Sequence, residues 1–211
     1  EAFSEHDDYE TGHFTDAREM LENSRPDVVS VGVWDKGHAP LTIAAAASPG
    51  VKGVLCEKPM AESIGAANDM LLVCRRNGVK LAVGHQRRFL PSFNMAKRMI
   101  ADGEIGEVQW IISYARDGLP NYASHQADMF RYLLGDPDCT WVIGNVERET
   151  DQWARAIPIE DKAMGVFGFE NGAQAMIVSG LTQKHGWRAL VYGSDGMIDV
   201  GLTDLKIMNA E

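Results

Sequence analysis

Cys56-Glu57-Lys58-Pro59-Met60 closes an apolar run, Gly53-Val54-Leu55, and precedes a helix-like segment. Open α/β sheets bind ligands in the crevice beyond the carboxyl ends of their strands, so a charged pair at a strand exit is placed for chemistry. A lysine there can reach a cofactor and a substrate together. Its ammonium can polarise an oxygen or, with its pKa depressed by burial, help move a proton. The alternative is a solvated lysine paired with Glu57. Pro59 disfavours helical geometry at Lys58 and keeps it extended; the bond between them could be cis. His125 is the second candidate, a general acid/base whose ordinary pKa sits nearest neutrality. Asn121, His125 and Asp128 fall at i, i+4 and i+7, one face of a helix. Asp128 could then orient the imidazole or hold its charge. A polar, solvent-facing stripe would show the same spacing.

The elements that must carry these residues alternate at first. Thr15-Asp16 caps a short helix to about Asn23. Val28 to Val33 reads as a buried parallel strand, and Pro40 to Ala47 as a helix. The strand Gly53 to Cys56 is followed by a helix from Ser63 to about Asn77, stopped by Gly78. Leu81 to Gly84 is a third strand. Strand and helix alternating in this way predict a parallel sheet. The pattern then changes, near residues 86–90. Helices are expected from Pro91 to about Asp102 and from Tyr122 to Leu134, with a strand at Val108–Tyr114 between them. Strands are expected at 140–148, 163–169, 173–180, 188–193 and 197–200. Glu170-Asn171-Gly172 and Ser194-Asp195-Gly196 are hairpin signals. The fold class expected is α/β plus α+β, with a partial Rossmann-type parallel sheet in residues 1–88. A mostly antiparallel open-sheet domain follows in 89–211.

The 211 residues carry a net charge of −10, with no basic cluster larger than the adjacent pairs Arg75-Arg76, Arg87-Arg88 and Lys97-Arg98. That balance argues against nucleic acid and anionic membrane as partners. Three cysteines, Cys56, Cys74 and Cys139, are too few and scattered for a disulfide framework or a zinc site. An odd count suits a reducing compartment, so a cytoplasmic location is expected. No apolar run approaches the roughly 18 residues of a membrane span. A dinucleotide fold usually shows a Gly-x-Gly-x-x-Gly turn after its first strand, and none is present.

Several blocks, in order, resemble the Gfo/Idh/MocA family of NAD(P)-dependent sugar and polyol oxidoreductases. They are Arg25-Pro26-Asp27-Val28-Val29-Ser30-Val31 with His38 after it, and Glu57-Lys58-Pro59-Met60-Ala61. Gly84-His85-Gln86-Arg87-Arg88-Phe89 follows with Pro91, then Gly103 to Val108. His125-Gln126-Ala127-Asp128 leads to Tyr132-Leu133-Leu134-Gly135. Downstream, Phe167 to Gly172 and Tyr192 to Gly196 also fit, so the resemblance spans roughly residues 15–200. It implies a Rossmann domain followed by a large open sheet. By that comparison the chain is a portion of a longer enzyme without the glycine fingerprint, and residues 1–211 alone are expected to bind dinucleotide poorly.

The resemblance also implies roles. Lys58 and His125 would be catalytic, with Lys58 near the nicotinamide of NAD or NADP. Trp34, His38, Glu57, Pro59 and Gln86 would join Lys58 in cofactor binding. Asn121, Asp128, Arg88 and Trp153 would contact a small sugar or polyol, with Arg155 a further loop candidate. Arg88 could equally be structural, binding backbone carbonyls, and Trp153 could be surface packing. Polyol dehydrogenases of the family often carry an aspartate where this chain has Asn121, and an amide cannot take a proton. The expected function is hydride transfer between a nicotinamide cofactor and a sugar or polyol hydroxyl or ketone. The rivals are a non-catalytic nucleotide-binding regulator on the same scaffold and an NAD-dependent glycosidase. The open sheet favours a homo-oligomer.

Overall fold

The structure is a computed structural model that describes residues 12–115, 118–154, 157–181 and 187–209. The chain divides into two compact units, residues 1–84 and 85–211.

The first unit begins with α1 (Ala17–Ser24), capped by the Asp16 carboxylate, which accepts from the Arg18 and Glu19 N–H groups. β1 (Val28–Val31), α2 (Asp35–Ala47), β2 (Gly53–Cys56), α3 (Ile64–Arg76) and β3 (Lys80–Val83) follow. The strands pair in parallel in the order β1-β2-β3. Helices α2 and α3 pack on one another and bring Ala45, Ala46, Met70 and Cys74 to Val29, Val31, Val54 and Cys56. Only that face of the sheet is covered among the described residues. Val28 and Leu55 point from the other face and are exposed, so β1 is not buried on both faces as its β-branched run suggested.

Two helix starts show what sets their limits. Ser63 caps α3 through its hydroxyl oxygen, which accepts from the Ala66 N–H at 3.2 Å. The Arg75-Arg76 pair lies in the last turn of that helix, where cations suit the dipole. Helix α2 starts at Asp35, five residues before the expected Pro40, which lies inside it. Proline there removes one backbone hydrogen bond. The early start is held instead by buried His38, whose ring nitrogens meet the carbonyls of Val33 and Pro59.

The second unit opens with a 3₁₀ turn, Gln86–Phe89, and α4 (Pro91–Ala101). After β4 (Val108–Ala115), a π turn at Leu119–Ala123 runs directly into α5 (Ser124–Leu134), which Gly135 ends in the left-handed conformation. Then come β5 (Cys139–Glu147), the short pair β6 (Trp153–Ala154) and β7 (Ile157–Pro158), and β8 (Lys162–Phe169). The last strands are β9 (Gln174–Ser179), β10 (Arg188–Gly193), β11 (Gly196–Gly201) and β12 (Leu205–Asn209). Seven strands form one sheet in the order β12-β11-β10-β4-β9-β8-β5. It is antiparallel except where β4 pairs with β9. Both hairpin signals fall on turns, between β8 and β9 and between β10 and β11.

Helices α4 and α5 cover one face of this sheet. Phe93, Met129, Phe130 and Leu133 pack on Ile111, Ile177, Val191 and Ile198. Strand β5 is an edge, and its Val142, Ile143 and Val146 are exposed. Among the described residues no helix is long and apolar enough to cross a membrane.

Candidate active site

The candidate residues fall in both units. In the first, parallel pairing brings the carboxyl ends of β1, β2 and β3 to one rim. Trp34 is exposed beyond β1. Glu57 is exposed and Lys58 half-buried beyond β2, and the Lys58–Pro59 peptide is cis. One Glu57 carboxylate oxygen accepts from the Lys58 N–H at 3.2 Å. The other comes within 3.0 Å of where a Cβ on Gly84, just past β3, would sit. A side chain at 84 would therefore displace the Glu57 carboxylate.

His38 departs from its expected cofactor contact. It is 1% exposed, with Nδ1 2.6 Å from the Pro59 oxygen and Nε2 3.0 Å from the Val33 oxygen. A neutral imidazole donates to one of these carbonyls and an imidazolium to both. The residue holds the β1 and β2 exits together from beneath. This rim fits a dinucleotide lying across the carboxyl ends of a parallel sheet. Trp34, Glu57, Lys58 and Pro59 are the residues of this unit that would meet it.

In the second unit, His125 and Asn121 are each 5% exposed in a largely apolar interior. Burying polar groups is costly unless they are paired. The His125 ring lies edge-on to two others: His85 at 6.3 Å between centroids and Tyr122 at 6.1 Å. Arg87 stacks over Trp187 at 4.2 Å and Tyr122 at 5.4 Å from the ring centroids. Burial draws its pKa below the ordinary arginine value, and Tyr122 opposes that shift. Asn121 sits in the π turn, not on the α-helix proper, so the expected single helical face joins only His125 and Asp128 regularly. Pro120 falls in the first turn of this segment, where a missing N–H costs no intrahelical bond.

Asp128 binds Arg88. Its carboxylate accepts from Arg88 Nε at 2.8 and 3.0 Å and pairs with Nη2 at 2.8 Å. It also lies 3.8 Å from His85 Nδ1. Arg88 also binds Asp136, just past the end of α5. Its guanidinium therefore binds carboxylates, where substrate or backbone carbonyls were expected. The bond to Asp128, with that to Asp136, raises the Arg88 pKa, and Arg88 lowers that of Asp136. Gln126, fully buried, donates through Nε2 to the Tyr114 oxygen at 3.0 Å and fastens α5 to β4. Gln86 is exposed at the start of the 3₁₀ turn. Trp153 is exposed in the short strand β6, not a loop, and its indole donates to Asp151 at 2.9 Å. Arg155 lies outside the described residues. Sequence spacing singled out none of Arg87, Tyr122 or Gln126. Residues 85 and 125 are 40 apart, and no linear pattern joins them.

A Rossmann-type parallel sheet followed by a mostly antiparallel open sheet is the architecture of two-domain nicotinamide-linked oxidoreductases. The sequence matches two family models in that order. Residues 1–85 match the oxidoreductase family, NAD-binding Rossmann fold, and residues 118–199 the GFO/IDH/MocA C-terminal domain. The chain belongs to the GFO/IDH/MocA family. It is 29% identical over 202 residues to scyllo-inositol 2-dehydrogenase (NAD(+)) of Bacillus subtilis (strain 168), covering 88% of this chain and 58% of the relative. It is 27% identical over 201 residues to myo-inositol 2-dehydrogenase of Thermotoga maritima, covering 88% and 59%. An oxidoreductase domain protein from Kribbella flavida has the same fold, with a TM-score of 0.79 at 24% identity over 93% of this chain and 61% of that one. The chain thus spans about three fifths of the length of the relatives it matches.

Proposed function

We propose that the protein is an oxidoreductase that moves a hydride between NAD or NADP and a sugar or polyol hydroxyl or ketone. The observation that carries this reading is the buried pair His125 and Asn121 at the start of α5, beside His85 and Tyr122. Family membership and the inositol 2-dehydrogenase relatives supply the substrate class. Trp34, Glu57, Lys58 and Pro59 would hold the nicotinamide end of the cofactor, which supplies hydride acceptance or delivery when bound.

The chain's own residues do the rest. The Lys58 ammonium polarises the reacting oxygen, and His125 takes the hydroxyl proton or returns it. Asn121 hydrogen-bonds a neighbouring hydroxyl without accepting a proton. Trp153 offers an exposed ring for stacking on a sugar face. Arg88 and Asp128 work through one another, holding the 3₁₀ turn to α5. A second copy of the chain pairs on the open sheet, where β5 leaves Val142, Ile143 and Val146 uncovered.

The test follows reduced-nicotinamide absorbance with the complete gene product and a panel of polyols and sugars. Turnover is expected, and His125→Ala should lower kcat by roughly 10²–10⁴-fold, the usual worth of general acid/base catalysis. Lys58→Ala should lower it as well. An intact protein that is silent across the panel, or variants with an unchanged profile, would refute the proposal. Asn121 favours one other reading, a nucleotide-binding sensor without turnover. Tight cofactor binding by calorimetry with no hydride transfer would support that reading instead.

A further inference from the structure

We propose that Glu160 is a positioning residue for His125 and Asn121, an inference that rests on reading α5 as the catalytic element. Glu160 is 7% exposed, and none of the ion pairs among the described residues reaches it. A buried carboxyl group needs polar partners. Glu160 Oε1 accepts two short ones: from the Leu119 N–H at 2.7 Å and from the Ser179 hydroxyl at 2.6 Å.

Leu119 is the first residue of the π turn that runs into α5. The first N–H groups of a helical segment have no partner within it, so an acceptor from outside the segment satisfies one of them. Glu160 therefore does for this segment what an N-cap side chain does elsewhere, but from 41 residues away. The carboxylate is itself fixed. The Ile159 N–H donates to the Gln152 oxygen at 3.0 Å, and the Asp161 N–H to the Glu147 oxygen at 3.0 Å. Ser179 is the last residue of β9.

Gly118, just before the turn, is pressed against the same place. Gly118 has φ +79°, and a Cβ there would lie 2.6 Å from Ile159 Cγ2 and 3.3 Å from Glu160 Oε2. Asn121 lies two residues beyond Leu119 and His125 six. A shift of the first turn would carry both side chains with it. Misplacing a catalytic group by about 1 Å can cost about 10²-fold in rate, so this anchor bears on turnover as well as stability.

The experiment uses the complete enzyme and the variants Glu160→Ala, Glu160→Gln and Glu160→Asp. It reads kcat for the polyol, the NAD dissociation constant, and amide exchange across residues 118–125. Glu160→Ala should lower kcat about 10–100-fold at a temperature where circular dichroism shows it folded. Its NAD affinity should be unchanged, while exchange at Leu119–Tyr122 quickens. Glu160→Gln keeps an acceptor oxygen for both donors and should restore kcat to within about threefold. Unchanged kcat in the alanine variant, or a glutamine variant as slow as it, would overturn the proposal. Should Glu160→Ala not fold, Glu160→Asp withdraws the acceptor from Leu119 by one methylene and makes the same comparison. There, slower turnover with faster exchange supports the anchor, and no change in either overturns it. The exchange reading needs no turnover. A parent enzyme inactive on every polyol would end the oxidoreductase reading, while exchange would still decide whether Glu160 anchors the turn.

Discussion

Replacing Arg88 by leucine tests whether the 3₁₀ turn and α5 are held by charge. The guanidinium makes three contacts of 2.8–3.0 Å with Asp128 and two, at 2.9 and 3.2 Å, with Asp136. The Arg88 side chain is 27% exposed, Asp128 14% and Asp136 41%. Breaking a fully buried pair costs about 3–5 kcal/mol, and exposed pairs are worth about 0–1 kcal/mol. The Asp128 arm lies between these limits, nearer the buried one, at about 2–3 kcal/mol. The Asp136 arm adds about 0.5 kcal/mol or less. Arg88→Leu should therefore destabilise the second unit by about 3 kcal/mol. Urea unfolding at neutral pH followed by tryptophan fluorescence measures it, since four of the five tryptophans (Trp110, Trp141, Trp153, Trp187) lie in that unit. A double-mutant cycle with Asp128→Asn should show most of the loss as coupling. A loss below about 1 kcal/mol, or equal coupling to Asp136, would refute the assignment. Acid provides a second check. Arg88 holds the Asp136 carboxyl below its ordinary value of 3.8. That stabilisation is complete above the ordinary value and is lost as pH falls through the lowered one, so Asp136→Asn should flatten the acid limb of stability below about pH 4.

Phe93 is fully buried and packs edge-on against Trp187 at 5.1 Å, so Phe93→Ala should cost about 3–5 kcal/mol in the same urea assay. His38→Ala removes the imidazole between the Pro59 and Val33 carbonyls, leaves at least one of them without its donor, and should cost the first unit about 1–3 kcal/mol, read by hydrogen exchange at α2. It should also weaken cofactor binding although the ring is buried beneath the rim, and calorimetry on the complete enzyme checks that. The Asp161 pKa is lowered to about 2 by the Thr150 hydroxyl and by the Thr150 and Glu149 N–H groups. Its hold on the 149–152 segment should be complete above the ordinary value of 3.8 and lost as pH falls through about 2. Trp153 emission should shift over that interval in the parent and already be shifted in Asp161→Ala.

Periodicity and caps made most of the elements legible. Ser63 and Gly78 bracket α3 because capping chemistry is local, and the two Gly-containing turns sit where antiparallel strands reverse. Pro40 misled because proline usually begins a helix, whereas α2 begins where buried His38 finds its carbonyls, one of them 21 residues away at Pro59. Strand β12 does alternate, with Leu205 and Ile207 on the core side, and its signal was there to be read. The two-residue pair β6 and β7 is too short to have a period. At the site, residue types were legible and pairings were not. Lys58, His125 and Asn121 stand out by chemistry, but only the fold shows that Asp128 belongs to Arg88 and that Glu160 belongs to Leu119.

These pairings bear on why residue 121 can be an amide. The turn that carries it already binds a buried carboxylate at its N-terminal end, through Leu119. An acid at position 121 would put a second carboxyl group in a short segment that already receives one from Glu160. An amide there offers a donor and an acceptor to a hydroxyl without adding a charge. On the proposed function, proton movement would then fall to His125, whose ordinary pKa suits neutral pH. On this account Asn121 and Glu160 have separate tasks: Asn121 would contact substrate, and Glu160 supplies the buried acceptor oxygen that holds the turn in place.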